Sequence, residues 1–389
     1  YGNYTTLDTI HALKWVRDNI SKFGGDPKNV TVGGQSAGAN ATAALVISPL
    51  AKGLLHRAIF QSSASLSTGI PLSVAEEKAI AFAVAAGCGN GADEQTAKCL
   101  RDLPIEKIMQ LSGTQVAAGP YGTPGMIDGL IVPSGGSDAF SSGKFNRMPI
   151  MVGGTKDEGT FFVGYPLYWT DTTITEANVI DYVNRVYSGN AGPGGTPPRY
   201  PDGTSQRILD SYPASQYSSP TMWRSAIQTD AFVCRIQRVT HLLAGKVPLY
   251  AFEFQDRTAP YYFPDEPEFE PLASHTSDIQ YLFPGWHGGD KGIPHDLNAQ
   301  QKLLSDKLVR AWTNFAWSGD PNTRHKKQRW LTHVGWNNQR DVWPMYTERS
   351  INSNRKSYLG ENIPAMSTFS DLEFTAAHKC DLWNSFLVY

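Results

Sequence analysis

Residues 34–38 read Gly-Gln-Ser-Ala-Gly, a serine with a glycine two positions away on either side. A G-x-S-x-G of this kind can mark a sharp strand-to-helix turn. Only small side chains fit around the serine there, and its hydroxyl stands exposed at the end of a sheet. The chemistry that uses such a hydroxyl is nucleophilic attack. The pattern alone decides little, because about 0.3 matches arise by chance in a chain of this length and composition. The flanks say more. Val30-Thr31-Val32 has the β-branched character of a short buried strand, and Ala39 to Ile47 reads as a small-residue helix able to pack close to a sheet. The competing reading is a Gly-rich turn with an idle serine.

A serine hydroxyl barely ionises at neutral pH, so it needs a base within hydrogen-bond reach, and the base needs an orienting carboxylate. For an elbow of this type the chain order is serine, acid, histidine, with the last two on loops after later strands. His275, in EPLASHTSDIQYLF, follows an apolar run ending at Phe254 and is crowded by small residues. His11, His56, His241 and His325 sit in helix-like or polar segments and read as surface or capping residues, while His287 and His295 stay as rivals. The acid candidates are the adjacent Asp157 and Glu158 in MVGGTKDEGTFF, directly after the apolar MPIMVG. Spacing leaves both open, together with the plainer reading of a charged loop.

These residues need a scaffold, and the composition allows a large one. Of 389 residues, 41% are hydrophobic and 18% charged, ample for one large core or two smaller ones. A net charge of −2 offers no basic field for nucleic acid and no basic tail for a membrane surface. No apolar run approaches the roughly 18 residues of a membrane span. The four cysteines, Cys88, Cys99, Cys234 and Cys380, form no C-x-x-C pair, which disfavours a zinc or thioredoxin-like site. Three pairings are open, as are four buried thiols. The closeness of Cys88 and Cys99 fits a local loop, leaving Cys234 with Cys380. Sequons occur at Asn3, Asn19, Asn29 and Asn40. A glycan at Asn29 or Asn40 would clash beside the proposed strand and turn, so Asn3 and Asn19 are the candidates.

Apolar positions 7, 10, 13, 16 and 20 predict an amphipathic helix over 7–20. Strands are predicted at AIFQSSAS, at 148–153, at 247–254 and around 341–347; helices at 73–86, 94–110, 220–244 and 296–317, and a short one near Cys380. The Gly/Pro-rich piece 189–204 reads as a surface loop. Strands alternating with helices predict an α/β fold, with no internal repeat.

LDTIHALKWVRDNISKFGGDPKNVTVGGQSAGA resembles the nucleophile region of the type-B carboxylesterases, which include cholinesterases and fungal lipases. RAIFQSSAS, the GCG…KCLRDLP loop, GGTKDEGTFF, SHTSDIQYLF, LVRAWTNFAWSGDPN, WPMY and the closing KCDLWNSF resemble family blocks in the same order. The resemblance spans essentially the whole chain. It implies an α/β-hydrolase fold with a mostly parallel central sheet flanked by helices, and hydrolysis of a small carboxylic ester through an acyl-enzyme. It assigns Ser36 as nucleophile, Glu158 rather than Asp157 as acid, and His275 as base. The backbone N–H of Ala37 is one oxyanion donor. It also implies the pairs Cys88–Cys99 and Cys234–Cys380, hence a secreted protein. No metal or cofactor is required. Asp278 matches an acidic position of the family and is read as a buried carboxylate near Ser62 or Ser63. Many members carry glutamate where this chain has Gln35, so a negative charge beside the nucleophile is missing here.

Two other readings share the sequence: a relative that has become a binding or adhesion module, against which all three triad positions stand occupied, and an amide or thioester hydrolase using the same groups. The aromatic content of 11% fits an apolar pocket, and YYFPDEPEFEPL (261–272) reads either as part of its mouth or as a solvated loop. The family's further oxyanion donors come from an H-G-G-G type loop upstream of the nucleophile. With the serine at position 36 no such loop precedes it, and His287-Gly288-Gly289 follows the base instead. The chain is therefore expected to be one N-terminally incomplete α/β-hydrolase domain over 1–389. A companion polypeptide of the same precursor would supply the missing strands and oxyanion glycines.

Overall fold

The computed structural model describes residues 2–63, 69–112, 125–170, 173–189, 200–263, 269–288, 292–322 and 342–386. Among the described residues seven strands form the main sheet: β1 (Thr31–Gln35), β2 (Arg57–Gln61), β3 (Ile150–Thr155), β4 (Leu249–Phe254), β5 (Met345–Tyr346), β6 (Lys356–Glu361) and β7 (Ser367–Ser370). Their order is β1-β2-β3-β4-β6-β7, with β5 lying antiparallel against the start of β4. Every pair from β1 to β6 along that path is parallel, and β7 closes the far side antiparallel to β6. This is the α/β-hydrolase architecture, with the parallel sheet that the βα alternation predicts.

Strand alternation sorts the core onto two faces. Ala58, Phe60, Ile150, Val152, Leu249, Ala251 and Tyr358 point to one side, into a cluster shared with helix α1 (Tyr4–Asn19), helix α2 (Ala37–Ile47) and the long helix α3 (Pro220–Leu243). Ile59, Met151, Tyr250, Phe252, Phe254 and Leu359 point to the other, against helix α4 (Ala299–Ser318). A fully buried side chain of these types contributes about 1.5–3 kcal/mol, and β3 and β4 are buried along their whole length.

The long helices α3 and α4 begin where a side chain can hold free N–H groups. Ser219 accepts from Met222 N ahead of Pro220, and Asn298 forms a capping box with Gln301. The single helix predicted over 94–110 is two, Glu94–Arg101 and Ile105–Ser112, because Pro104 cannot continue the first. The strands β6 and β7 carry no clear period-two pattern in the sequence and were not anticipated. The Gly/Pro-rich piece falls mostly, and His325 wholly, outside the described residues.

The disulfides are Cys88–Cys99 and Cys234–Cys380. The second joins α3 to the last helix, Cys380–Asn384. Among the described residues no helix is long and apolar enough to cross a membrane. Of the two candidate sequons, the Asn3 amide already donates to Met126 O and Asp128 Oδ2, so a glycan there would break both bonds.

Candidate active site

β1 ends at Gln35 and α2 starts at Ala37, so Ser36 alone makes the turn between them. Its backbone is bent to φ 57°, ψ −120°, a conformation that non-glycine residues adopt only under constraint from their surroundings. Two hydrogen bonds supply that constraint: Ser36 N–H donates to Gln61 O on β2 at 2.9 Å, and Asn40 N–H donates to Ser36 O at 3.1 Å. The demand for a small residue falls on Gly34, where a Cβ would lie 2.2 Å from the backbone of Gly38. A Cβ on Gly38 itself meets open space, so the sequence expectation of crowding on both sides of the serine holds on one side. Ser36 does not cap α2 with its hydroxyl. Ala37 opens the helix, whose first-turn N–H groups have no partner within it.

The acid and base come from the carboxyl ends of β3 and β4. Glu158 and His275 are buried to 0% and 2% exposure. Glu158 Oε1 accepts the N–H of Thr155 at 2.8 Å, which pins the carboxylate over the end of its own strand. Its Oε2 is hydrogen-bonded to His275 Nδ1. That bond places the imidazole proton on Nδ1 and leaves Nε2 as the acceptor. Phe161, Phe162 and Phe232 surround the ring, with centroids 5.5, 4.8 and 5.6 Å away. Nε2 points back toward the elbow, where the Gln35 side-chain nitrogen lies 3.2 Å from it.

Asp157 has a different task. Its carboxylate is gripped by Arg257 through two bonds of 2.9 and 2.8 Å and accepts the N–H of Ala273 at 3.2 Å. Its own N–H donates to Ala273 O at 3.0 Å, and Asp157 forms a parallel bridge with Ser274. Asp157 thus stitches the acid loop to the histidine loop while its neighbour faces the ring. The rivals His287 and His295 lie after the base: His287 is half-buried, its Nδ1 without a partner among the described residues, and His295 is exposed.

Asp278 is buried, as expected, but its partner is Gln61 at the end of β2, whose Nε2 donates to Oδ2 at 2.9 Å. Ser63 donates to Asn40, and Ser62 Oγ is buried without a partner among the described residues. Burial pushes the Asp278 carboxyl up to about 6, against the pull of the Gln61 amide. At the end of β6 lies Glu361, which sequence reasoning missed. It is fully buried, neither carboxyl oxygen has a partner among the described residues, and burial followed by the charge of Asp278 drives its pKa well above the usual range. Gln61 stands in the quoted RAIFQSSAS and its polar side chain at a buried strand end was the available signal. Glu361, at the end of KSYLGE, offered none.

Comparison with known proteins decides the lineage. The carboxylesterase family model matches residues 1–383. The chain belongs to this family. Similar proteins include acylcarnitine hydrolase of Rattus norvegicus, 27% identical across 93% of this chain and 62% of that protein. Human carboxylesterase 5A is 28% identical across 93% of this chain and 59% of its own length. Human cocaine esterase is 26% identical across 99% and 62%. The chain thus spans about three fifths of the length of the curated relatives it matches.

Proposed function

We propose that the protein is a serine esterase that hydrolyses carboxylic esters through an acyl-enzyme, with Ser36, His275 and Glu158 as nucleophile, base and acid. The observation that carries this is the buried Glu158–His275 pair, whose second ring nitrogen, Nε2, meets Gln35, the residue next to Ser36. His275 Nε2 takes the proton of Ser36 Oγ as it attacks the carbonyl carbon. Glu158 accepts from Nδ1–H throughout, so the imidazolium that forms is paired rather than isolated in its aromatic surround. The N–H of Ala37, at the start of α2, donates to the developing oxyanion. His275 returns the proton to the leaving alcohol, and water then repeats the sequence on the acyl-enzyme. The relatives named for acylcarnitine and cocaine hydrolysis support an ester as the substrate class.

The reading extends to a companion segment of the same precursor that pairs with β1 and supplies further oxyanion donors. Its support is the outer edge of β1, which pairs with no strand among the described residues; Gly33 on it is exposed. Unpaired edges of this kind recruit another strand. Trp15 and Phe23, at 51% and 72% exposure in the helical segment that precedes β1, add exposed apolar surface. Two disulfides support secretion as the route of the chain.

The test is labelling of the intact native protein with a fluorophosphonate, followed by peptide mapping and a p-nitrophenyl ester assay. The expected result is a single adduct on Ser36 with parallel loss of turnover. An adduct elsewhere, or turnover that survives full labelling of Ser36, overturns the assignment. Mass analysis of the same active sample should show residues preceding Tyr1, attached or as a second polypeptide. Full activity from these 389 residues alone overturns the companion segment.

A further inference from the structure

The neutral imidazole of His275 has one acceptor, Nε2, and two donors compete for it. One is the hydroxyl of Ser36, which must reach it for attack. The other is the side-chain amide of Gln35, already 3.2 Å away. With the ring proton held on Nδ1 by Glu158, only the nitrogen end of the Gln35 amide fits there; its oxygen would face the Nε2 lone pair. We propose that Gln35 is a positioning residue that parks the base: its amide holds His275 Nε2 while no ester is bound and yields it to Ser36 when the carbonyl arrives. This rests on the triad proposed above and adds to it a role for the residue before the nucleophile.

The physical consequence is a bias in the base. A donor facing Nε2 favours neutral imidazole over imidazolium, because the imidazolium turns Nε2 into a donor facing a donor. Once the proton has transferred, Gln35 must rotate its amide to present Oε1, or move away. Two carboxyl groups act on this imidazole: Glu158, bonded to Nδ1, and the buried Asp278, through its charge. The helices packed on it present the rings of Phe161, Phe162 and Phe232. A neutral amide at position 35 therefore offsets two carboxyl groups that favour the charged ring, whereas a carboxylate there would join them. A hydrogen bond of this kind is worth about 0.5–1.5 kcal/mol, which corresponds to a roughly 2–10-fold parking of the attack-ready state.

The experiment compares kcat/KM against pH, from pH 5 to 9, for the wild-type protein, Gln35→Glu and Gln35→Leu, with melting temperatures as the fold control. Gln35→Glu should move the acid limb up by about one pH unit or more, since an opposite charge at this range favours the imidazolium. Gln35→Leu should move it up by less and raise kcat/KM on the alkaline plateau by roughly 2–10-fold. The fluorophosphonate labelling rate of Ser36 should follow the same limbs without requiring turnover. A purely structural role would lower the rate equally at every pH. If both variants fold and their limbs superimpose on wild type, the inference is overturned while the triad stands. If wild-type Ser36 does not label at all, the triad reading is what has failed.

Discussion

His275 and His378 are both buried, at 2% and 3% exposure, and both touch carboxylates, yet they are built for opposite ends. His275 meets one carboxylate, through Nδ1, and a neutral amide at Nε2. His378 meets two: Nδ1 bonds Asp230 at 3.0 Å and Nε2 bonds Glu253 at 2.7 Å. Burial alone would discharge His378, but Glu253 and Asp230 overcome it and push the imidazole up to about 10. Both of its nitrogens are donors, so it is a fixed cation tying α3, β4 and the C-terminal helices together. The difference teaches that burial beside an acid does not make a base. A base keeps one nitrogen free of charge partners so that a proton can arrive and leave.

The largest effect that tests this contrast is on turnover. His275→Gln should lower kcat by about four orders of magnitude or more, as loss of a triad member does elsewhere, while the melting temperature shifts by only a few degrees. Turnover within tenfold of wild type would break the assignment of His275. His378→Ala should do the reverse. It leaves Asp230 and Glu253 buried without their cation, at a cost of about 3–5 kcal/mol, while the folded fraction keeps its activity per active site. Denaturant unfolding at pH 7 measures it, and a cost below 1 kcal/mol would make His378 a bystander.

The smaller effects lie in pH dependence, and their signs follow from proton binding. The folded pKa of His378, about 10, stands above the ordinary 6.5, so its contribution to stability is complete below about pH 6.5 and is lost as pH rises toward 10. Wild-type stability should therefore decline over that window, and His378→Ala should flatten the decline. Glu361 is also raised, but as an acid it acts with a different result. Above its unfolded pKa the unfolded chain ionises and the folded one does not, so it costs stability increasingly as pH rises from about 4. Glu361→Gln should stabilise the protein by about 1 kcal/mol at pH 8 and by nothing near pH 4. Equal stability of the two proteins across that range would mean that Glu361 finds a partner after all.

The catalytic contrast was half legible in the sequence. The serine elbow announces itself because glycine, β-branched strand and small-residue helix agree locally, and Gly34 is forced by the approach of Gly38. His275 and Glu158 could be narrowed by chain order, but choosing Glu158 over Asp157 needed the family resemblance. The geometry shows why spacing fails there: both acids serve the same loop, one through the ring and one through the backbone of Ala273. His378 went unweighed because its partners are 125 and 148 residues away. A signal existed in Glu253, a lone acid in the otherwise apolar LYAFEF, since a carboxylate in a buried strand demands a donor. The Gln35 contact had no signal, because a side chain at the end of one strand meeting a loop 240 residues later is a product of the whole fold.

Helix α3 carries three of these contacts within residues 230–234. Asp230 holds His378, Phe232 packs on the ring of His275, and Cys234 is bonded to Cys380. The covalent tie to the C-terminus and the wall behind the base therefore share a single turn of helix. Expression in a reducing cytosol, where the Cys234–Cys380 bond would not form, acts directly on that turn. A low turnover number from such a sample would record the redox history of the preparation as much as the reactivity of Ser36.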